Sequence, residues 1–220
     1  MSNPCIIPTK PGDIIGDDRW LNQHEHHLQL AKESEPEVVL IGDSLISCLC
    51  ITQVWNELFE PLHCLNFGVG GDKVEHCLWR VQDGVLDSIK PKVIVILVGT
   101  NNTEDSSEHI ADGIVALVKL VQVKQPNASV LVLELLPRGK QINKLWEKNL
   151  ATNKCLEDRL SAIHSKVKLF KHKTDDFVID GKQISVTDFF DYIHLSESGN
   201  RKVFGPVYEQ IKNILTDLDK

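Results

Sequence analysis

A serine stands directly after an apolar run in the stretch VVLIGDSLIS, from Val38 to Ser47. The β-branched run predicts a buried strand, and the Gly-Asp-Ser that follows predicts a turn. A hydroxyl held at the end of a rigid strand suits a nucleophile that attacks a carbonyl carbon. The alternative is that Ser44 only caps the next helix, which is the commoner role of a serine in this position. The nucleophile motif G-x-S-x-G is not complete, because Ile46 stands at its second glycine.

An aspartate and a histidine near the other end of the chain complete the residue types of a nucleophilic site. The stretch DFFDYIHLSESGN places Asp191 three residues before His194, ahead of a helical pattern. A short turn of this length directs a carboxylate at imidazole Nδ1 and leaves Nε2 free as a base. A lone histidine near a helix start is usually structural, so the interpretation requires a fold that brings Ser44, Asp191 and His194 together.

Glycines and an asparagine follow the next two apolar runs. LNFGVGGD carries Gly68, Gly70 and Gly71, and VGTNN carries Asn101. Glycine lets a backbone N–H face a ligand with no Cβ in the way, and an asparagine amide can donate to an anion. A tight turn and a cap are the structural alternatives. The glycines lack the full dinucleotide-binding pattern G-x-G-x-x-G.

Five apolar runs alternate with longer segments of helical periodicity. The runs lie at 37–42, 63–68, 92–99, 129–136 and 166–170, and helical patterns lie at 108–125, 141–163 and 200–218. Near-continuous apolar strands indicate a sheet covered on both faces, and the alternation indicates parallel strands with right-handed crossovers. We therefore predict an α/β fold, a three-layer α/β/α sandwich with a five-stranded parallel sheet in flavodoxin-like order. Sites in such sheets lie beyond the carboxyl ends of the strands, where Ser44, Gly71 and Asn101 fall.

Composition predicts one globular domain of 220 residues, with 42% hydrophobic and 25% charged residues. Residues 1–36 are expected to pack on a domain formed by 37–220, and DDRWLNQHEHHLQLAKES predicts a helix before the first strand. The net charge of −7 argues against general nucleic-acid binding. The N-terminus does not resemble a signal peptide, no apolar run is long enough to span a membrane, and the six cysteines suit free thiols, so we expect an intracellular protein.

The HEHH stretch raises the question of a metal site. His24 and His27 have a spacing that lets both side chains share one side of a helix. A solvated helix face is the interpretation favoured over a metal site.

The motifs GDSL, GVGGD, GTNN and DYIH resemble the four sequence blocks of the SGNH, or GDSL, hydrolase superfamily. The longer stretches GDDRW, EPLHCLNFGVGGD, KPKVIVILVGTNN, LLPRG and DYIHLS are similar to the catalytic α subunits of intracellular platelet-activating factor acetylhydrolase type I (Ib). The similarity runs from about Gly16 to the final helix. It implies the SGNH hydrolase fold and a serine esterase that removes the sn-2 acetyl group from ether phospholipids through an acyl-enzyme.

The resemblance also assigns residues by position. The implied catalytic residues are Ser44, Asp191 and His194. The implied oxyanion donors are the backbone of Ser44, the backbone of Gly71 and the side chain of Asn101. The implied acyl pocket consists of Leu45, Thr100 and Ile193, whose bulk suits acetyl. Two positions depart from the family pattern, Leu97 in place of tryptophan and Glu134 in place of glycine, and both bear on the shape of the acyl pocket.

By the same resemblance we expect a cytoplasmic homodimer, or a heterodimer with a paralogous α subunit, with no metal or other cofactor. A WD-repeat regulatory subunit similar to the lissencephaly protein, linked to dynein regulation, is the implied partner. Two alternatives remain open: another short-chain acetylesterase of the superfamily, and a non-enzymatic dimeric scaffold for the WD-repeat protein. The intact set of catalytic residues argues against the scaffold.

Overall fold

The predicted parallel sheet is present in a computed structural model that describes residues 2–163 and 165–218. Its strands are β1 (Val38–Gly42), β2 (Cys64–Gly68), β3 (Val93–Leu97), β4 (Ser129–Leu133) and β5 (Val167–Phe170). They are all parallel and lie in the order β2-β1-β3-β4-β5. Each predicted run contains one strand, and the flavodoxin-like order is confirmed.

Helices cover both sides of the sheet. They are α1 (Arg19–Glu33), the short α2 (Ser44–Ser47), α3 (Val74–Gln82), α4 (Ser107–Lys124), α5 (Lys144–Leu160) and α6 (Glu197–Leu218). Helix α4 packs against both α3 and α5, and α6 contacts β3. The core lies between these layers, where every residue of β1 and β3 is buried. Two-sided burial explains why these strands show no alternation of polar and apolar residues.

Local capping decides where the helices begin. The helical pattern at 141–163 becomes a helix only from Lys144, because the Asn143 side chain accepts hydrogen bonds from the amides of Leu145 and Trp146. An asparagine in that position satisfies N–H groups that have no partner within the helix. Shorter elements were not predicted, among them a two-stranded hairpin of β6 (Val178–Ile179) and β7 (Gln183–Ile184).

The solvated face expected for HEHH is wrong for two of its histidines. His24 is 1% exposed and its Nε2 lies 2.8 Å from Asp83 Oδ2, whereas His27 is 4% exposed and its ring lies 5.0 Å from that of Phe67. Burial lowers the pKa of His27 to about 3, so this ring is neutral. The two rings are buried because this face of α1 packs against the rest of the domain. They have different partners, Asp83 for His24 and Phe67 for His27.

The cysteines are unpaired, as the sequence analysis predicts. The six cysteines are free thiols, with Cys5, Cys64 and Cys77 buried and Cys50 exposed. Among the described residues, no helix has both the length and the apolar character needed to cross a bilayer.

Candidate active site

A chain of hydrogen bonds joins Ser44, His194 and Asp191. His194 Nε2 lies 2.9 Å from Ser44 Oγ, and His194 Nδ1 lies 2.7 Å from Asp191 Oδ2. Because an ionised carboxylate can only accept, the proton of a neutral imidazole resides on Nδ1. Nε2 then accepts from the serine hydroxyl, which is the arrangement required for a base that activates a nucleophile. The fold thus brings Ser44 to the Asp191–His194 pair, although Ser44 and His194 are 150 positions apart in the chain.

The loop of Asp191 and His194 is held by its own backbone. Asp191 Oδ1 accepts from the amides of Ile193 at 3.0 Å and His194 at 2.7 Å. Between them Tyr192 adopts a left-handed conformation with φ 63°, and its carbonyl accepts from the Gly139 amide at 2.8 Å. Partial burial raises the pKa of Asp191, but hydrogen bonds from the His194 ring and from the two amides outweigh it and leave the pKa below its usual value. The carboxylate is therefore ionised where it meets the imidazole.

Ser44 is placed by the turn from β1 into α2. It is the first residue of α2, and the preceding Asp43 caps that helix by accepting from the Leu45 amide at 2.9 Å. The end of β2 packs directly beneath, so a Cβ on Gly68 would lie 2.2 Å from the Ser47 amide nitrogen. Only glycine allows this approach. The cap thus belongs to Asp43, and the Ser44 hydroxyl is free to face His194.

Asp43 is a fully buried carboxyl beside the serine. Its Oδ2 atom is buried and has no hydrogen-bond partner among the described residues. Burial is the main cause that raises the pKa of Asp43 to about 7, although the Leu45 amide and the positive charge of Arg138 oppose this shift. A carboxyl in this state is protonated in part near neutral pH.

Gly71 and Asn101 lie in the turns that follow β2 and β3, and the two turns are joined through Asp72, the residue after Gly71. Gly71 has φ 79°, a conformation that side chains rarely adopt, and its amide donates to no other described group. Asn101 Nδ2 donates to the Asp72 carbonyl oxygen at 3.0 Å. The amide carries two hydrogens, so one remains for a ligand. The Asp72 carbonyl therefore orients the side chain of Asn101 next to the glycine turn.

A buried ion pair that sequence analysis did not identify supports this turn. Arg80 and Asp72 are both 0% exposed, with guanidinium nitrogens 2.8 and 2.9 Å from Asp72 Oδ2. Arg80 also donates to the carbonyls of Phe67 at 2.9 Å and Gly42 at 3.3 Å, which links β2 to β1. The second Asp72 oxygen accepts from the Trp20 indole at 2.6 Å. No local signal in the sequence marks Arg80, because its burial depends on Asp72 and on the two carbonyls that meet it in the fold.

The three residues of the implied acyl pocket are chain neighbours of the site. Leu45 follows Ser44 and is 4% exposed, Thr100 precedes Asn101 and is 5% exposed, and the half-buried Ile193 precedes His194. Arg138 donates to the carbonyl of Thr100, so the loop after β4 is tied to the loop after β3.

The two departures from the family pattern lie at strand ends. Leu97 is the last residue of β3 and is fully buried. Glu134 follows β4, and its Oε2 accepts from the His172 amide at 3.1 Å. Burial raises the pKa of Glu134 above its usual range. The Glu134 carboxylate binds the end of β5 and not the Ser44 loop.

One group of potential metal ligands occurs in the described part of the chain. Cys5, Glu75 and Asp105 have ligand atoms within 4.8 Å of one another. The Asn102 amide nitrogen lies among them, 3.4 Å from the Cys5 sulfur, 2.8 Å from Glu75 and 3.0 Å from Asp105. Burial raises the pKa of Cys5 to about 12, so the thiol keeps its proton. An amide donor thus occupies the centre of the cluster.

Comparison with known proteins identifies the family. Residues 40–202 match the GDSL-like Lipase/Acylhydrolase family. Platelet-activating factor acetylhydrolase IB subunit alpha2 of Homo sapiens is 45% identical over 217 residues, which cover 98% of this chain and 93% of the relative. Subunit alpha1 of Pongo abelii is 43% identical over 216 residues, with 98% and 91% covered.

Solved structures support the same fold. A GDSL-like lipase from Bacteroides thetaiotaomicron superposes with a TM-score of 0.69 at 17% identity, covering 89% of this chain and 98% of that one. Est24, a carbohydrate acetylesterase from Sinorhizobium meliloti, gives a TM-score of 0.64 at 17% identity, with 82% and 100% covered. With the family match, the chain belongs to the GDSL-like lipase/acylhydrolase family and is a serine ester hydrolase.

Proposed function

We propose that the protein removes the sn-2 acetyl group from ether phospholipids of the platelet-activating factor type, through an acyl-enzyme on Ser44. The observation that carries the mechanism is the pair of contacts made by the His194 ring, 2.9 Å to Ser44 Oγ and 2.7 Å to Asp191 Oδ2. The acetyl specificity rests on the similarity to the platelet-activating factor acetylhydrolase IB subunits.

In the first half-reaction Ser44 Oγ attacks the ester carbonyl while its proton moves to His194 Nε2. The imidazolium that forms is stabilised by the carboxylate of Asp191. The C–O bond to the leaving alcohol then breaks, and Nε2 returns the proton to that oxygen. Water deacylates the enzyme by the same route, with His194 again acting as base.

The negative charge on the tetrahedral oxygen requires donors that are already in place. In our proposal these donors are the backbone amides of Ser44 and Gly71 and the free hydrogen of the Asn101 amide. The Asp72 carbonyl holds Asn101 at 3.0 Å, and the Arg80 ion pair holds Asp72. Donors fixed in this way need little reorganisation when the charge appears.

The acyl group is proposed to bind against Leu45, Thr100 and Ile193. Leu45 and Thr100 are almost fully buried beside Ser44 and Asn101, and the bulk of the three side chains is proposed to suit an acetyl group better than a longer chain. We further propose a cytoplasmic homodimer, or a heterodimer with a paralogous α subunit, and a WD-repeat regulatory partner. These proposals rest on the resemblance to the acetylhydrolase α subunits.

A second acetyl ester is the alternative substrate. The fold is shared with Est24, which is a carbohydrate acetylesterase, and the same hydrogen-bonded residues would serve either ester. The two functions differ only in the leaving alcohol, which is a lysophospholipid in one case and a sugar in the other.

The experiment compares purified protein on an sn-2 acetyl ether phospholipid, the same lipid with a long sn-2 acyl chain, and an acetylated sugar. We expect turnover of the acetyl lipid well above the other two, and none by Ser44→Ala. A fluorophosphonate should add one label to wild type and none to Ser44→Ala. Labelling that persists in Ser44→Ala would move the nucleophile elsewhere, and faster turnover of the sugar ester would favour the alternative.

A further inference from the structure

Phe190 is an exposed phenyl ring that lies against His194. Its side chain is 67% exposed, and its ring centroid lies 5.8 Å from that of His194 with the planes 19° apart. A ring left largely in water gains little from burial. The adjacent Phe189 differs, since it is 1% exposed and packs edge-on against Phe177. Phe189 therefore anchors the loop, and the contact of Phe190 is with the histidine.

The backbone fixes this contact. The Phe190 amide donates to the His194 carbonyl at 3.1 Å, and Phe189 and Leu195 form an antiparallel bridge next to it. Residues opposite each other in an antiparallel pair have neighbouring side chains. The two rings are thus held side by side by the same turn that carries Asp191.

We propose that Phe190 is a positioning residue that stabilises the protonated His194 ring during turnover. The inference rests on the proposed function, in which His194 is the base. Asp191 and Ser44 bind the two ring nitrogens, so one face of the ring remains for Phe190. When the Ser44 O–H bond breaks and the Nε2–H bond forms, the ring becomes a cation. The face of an aromatic ring attracts a cation within about 6 Å of its centroid.

Other charged and titratable groups lie around the same loop. Asp191 is on the loop itself and pairs with His194, whereas Cys48, after Ser44, and Arg138, on the loop after β4, interact electrostatically with Asp191. Asp43, before Ser44, interacts with Cys48 and Arg138. All four are unchanged by a substitution at position 190. A change in the titration of His194 caused by that substitution therefore reports on the phenyl ring.

The test compares Phe190→Leu, which keeps an apolar cover but loses the aromatic face, with Phe190→Tyr, which keeps the face. His194 is titrated by NMR without substrate, and its signal is assigned by its absence in His194→Gln. For Phe190→Leu we expect the midpoint to fall by about 0.4–0.7 pH unit. The acidic limb of kcat/KM should move equally and kcat should fall about two- to fivefold. Phe190→Tyr should match wild type.

Phe170→Leu is the matched control, because it removes a ring that lies 5.3 Å from the ring of another histidine, His172. It should leave the titration of His194 and the pH profile unchanged. Phe190→Met provides a second non-aromatic cover if Phe190→Leu melts early. The inference is overturned if the titration midpoint of His194 is unchanged in both Phe190→Leu and Phe190→Met. It is also overturned if the midpoint rises in both, because the phenyl ring would then act only by excluding water. If the NMR midpoint of His194 shifts but the acidic limb of kcat/KM does not, His194 is not the base, and the proposed mechanism is rejected.

Discussion

Two adjacent asparagines offer a direct test of the proposed oxyanion site. Asn101 is half-buried, and among the described residues its side chain makes one hydrogen bond, to the Asp72 carbonyl. Asn102 is fully buried and accepts from the Val74 amide at 3.0 Å, while its amide donates to Glu75 at 2.8 Å. The same substitution by alanine should therefore have opposite consequences at the two positions.

Asn101→Ala should lose catalysis and keep its fold. Removing one oxyanion donor costs on the order of 10²–10³ in kcat, or about 3–4 kcal/mol of transition-state stabilisation. The effect should appear in kcat and not in KM, because the donor matters most once the oxygen is charged. The single lost hydrogen bond to Asp72 is worth about 1 kcal/mol of stability, which for a chain of this size lowers Tm by about 2–4 °C.

Asn102→Ala should lose stability and keep catalysis. It leaves the buried Val74 amide and the Glu75 carboxylate without their partner, and each unsatisfied buried group costs about 1–3 kcal/mol. The sum of about 2–6 kcal/mol corresponds to a fall in Tm of roughly 4–24 °C. Below that melting temperature, kcat should stay within a few-fold of wild type.

The assay measures Tm and kcat on one preparation of each variant, with an acetyl ester as substrate. Slow fluorophosphonate labelling of Ser44 in Asn101→Ala would show that the nucleophile is still present. Near-normal kcat in a stable Asn101→Ala protein would refute the oxyanion assignment. If Asn101→Ala and Asn102→Ala lose the same amount of Tm and the same factor in kcat, the two asparagines have one shared structural role and no separate catalytic one.

Three further changes test other parts of the site. Arg80→Met should lower stability by about 3–5 kcal/mol because it leaves Asp72 buried and unpaired, and adding Asp72→Asn should recover part of that loss in thermal melts; a loss below 1 kcal/mol would contradict this. Burial raises the pKa of Asp43 from 3.8 to about 7, so the folded state binds the extra proton and stability falls as pH rises through that window. The Tm of Asp43→Asn minus the Tm of wild type should therefore increase from pH 4 to pH 8. A difference that stays constant over this range would contradict the raised pKa of Asp43. Leu45→Ala should narrow the ratio of kcat/KM between acetyl and hexanoyl esters, at about 1 kcal/mol per methylene admitted; equal rates for both esters in wild type would remove the pocket assignment.

Much of this fold could be predicted from the chain because its signals are local. The five strands were found because strands buried on both faces must be apolar along their whole length, as β1 and β3 are. Alternation with helices then restricts the sheet to parallel topologies. Helix limits also depend on capping contacts, since α5 begins only where Asn143 caps it and not at residue 141. Residue types and motif spacing also singled out Ser44 and His194, because few side chains can act as nucleophile and base.

Contacts between distant segments were decided only by the tertiary structure. Nothing local distinguishes Arg80 from a surface arginine, yet it is fully buried because Asp72 and two strand-end carbonyls meet it there. His24 looked solvated and is buried, because α1 presents that face to Asp83 and the domain. Phe190 and Phe189 are adjacent and of one type, but the turn sends one ring into the core and the other onto His194. Sequence patterns report the period of burial along one element, whereas the partner of a polar or aromatic group depends on which elements the fold places beside it.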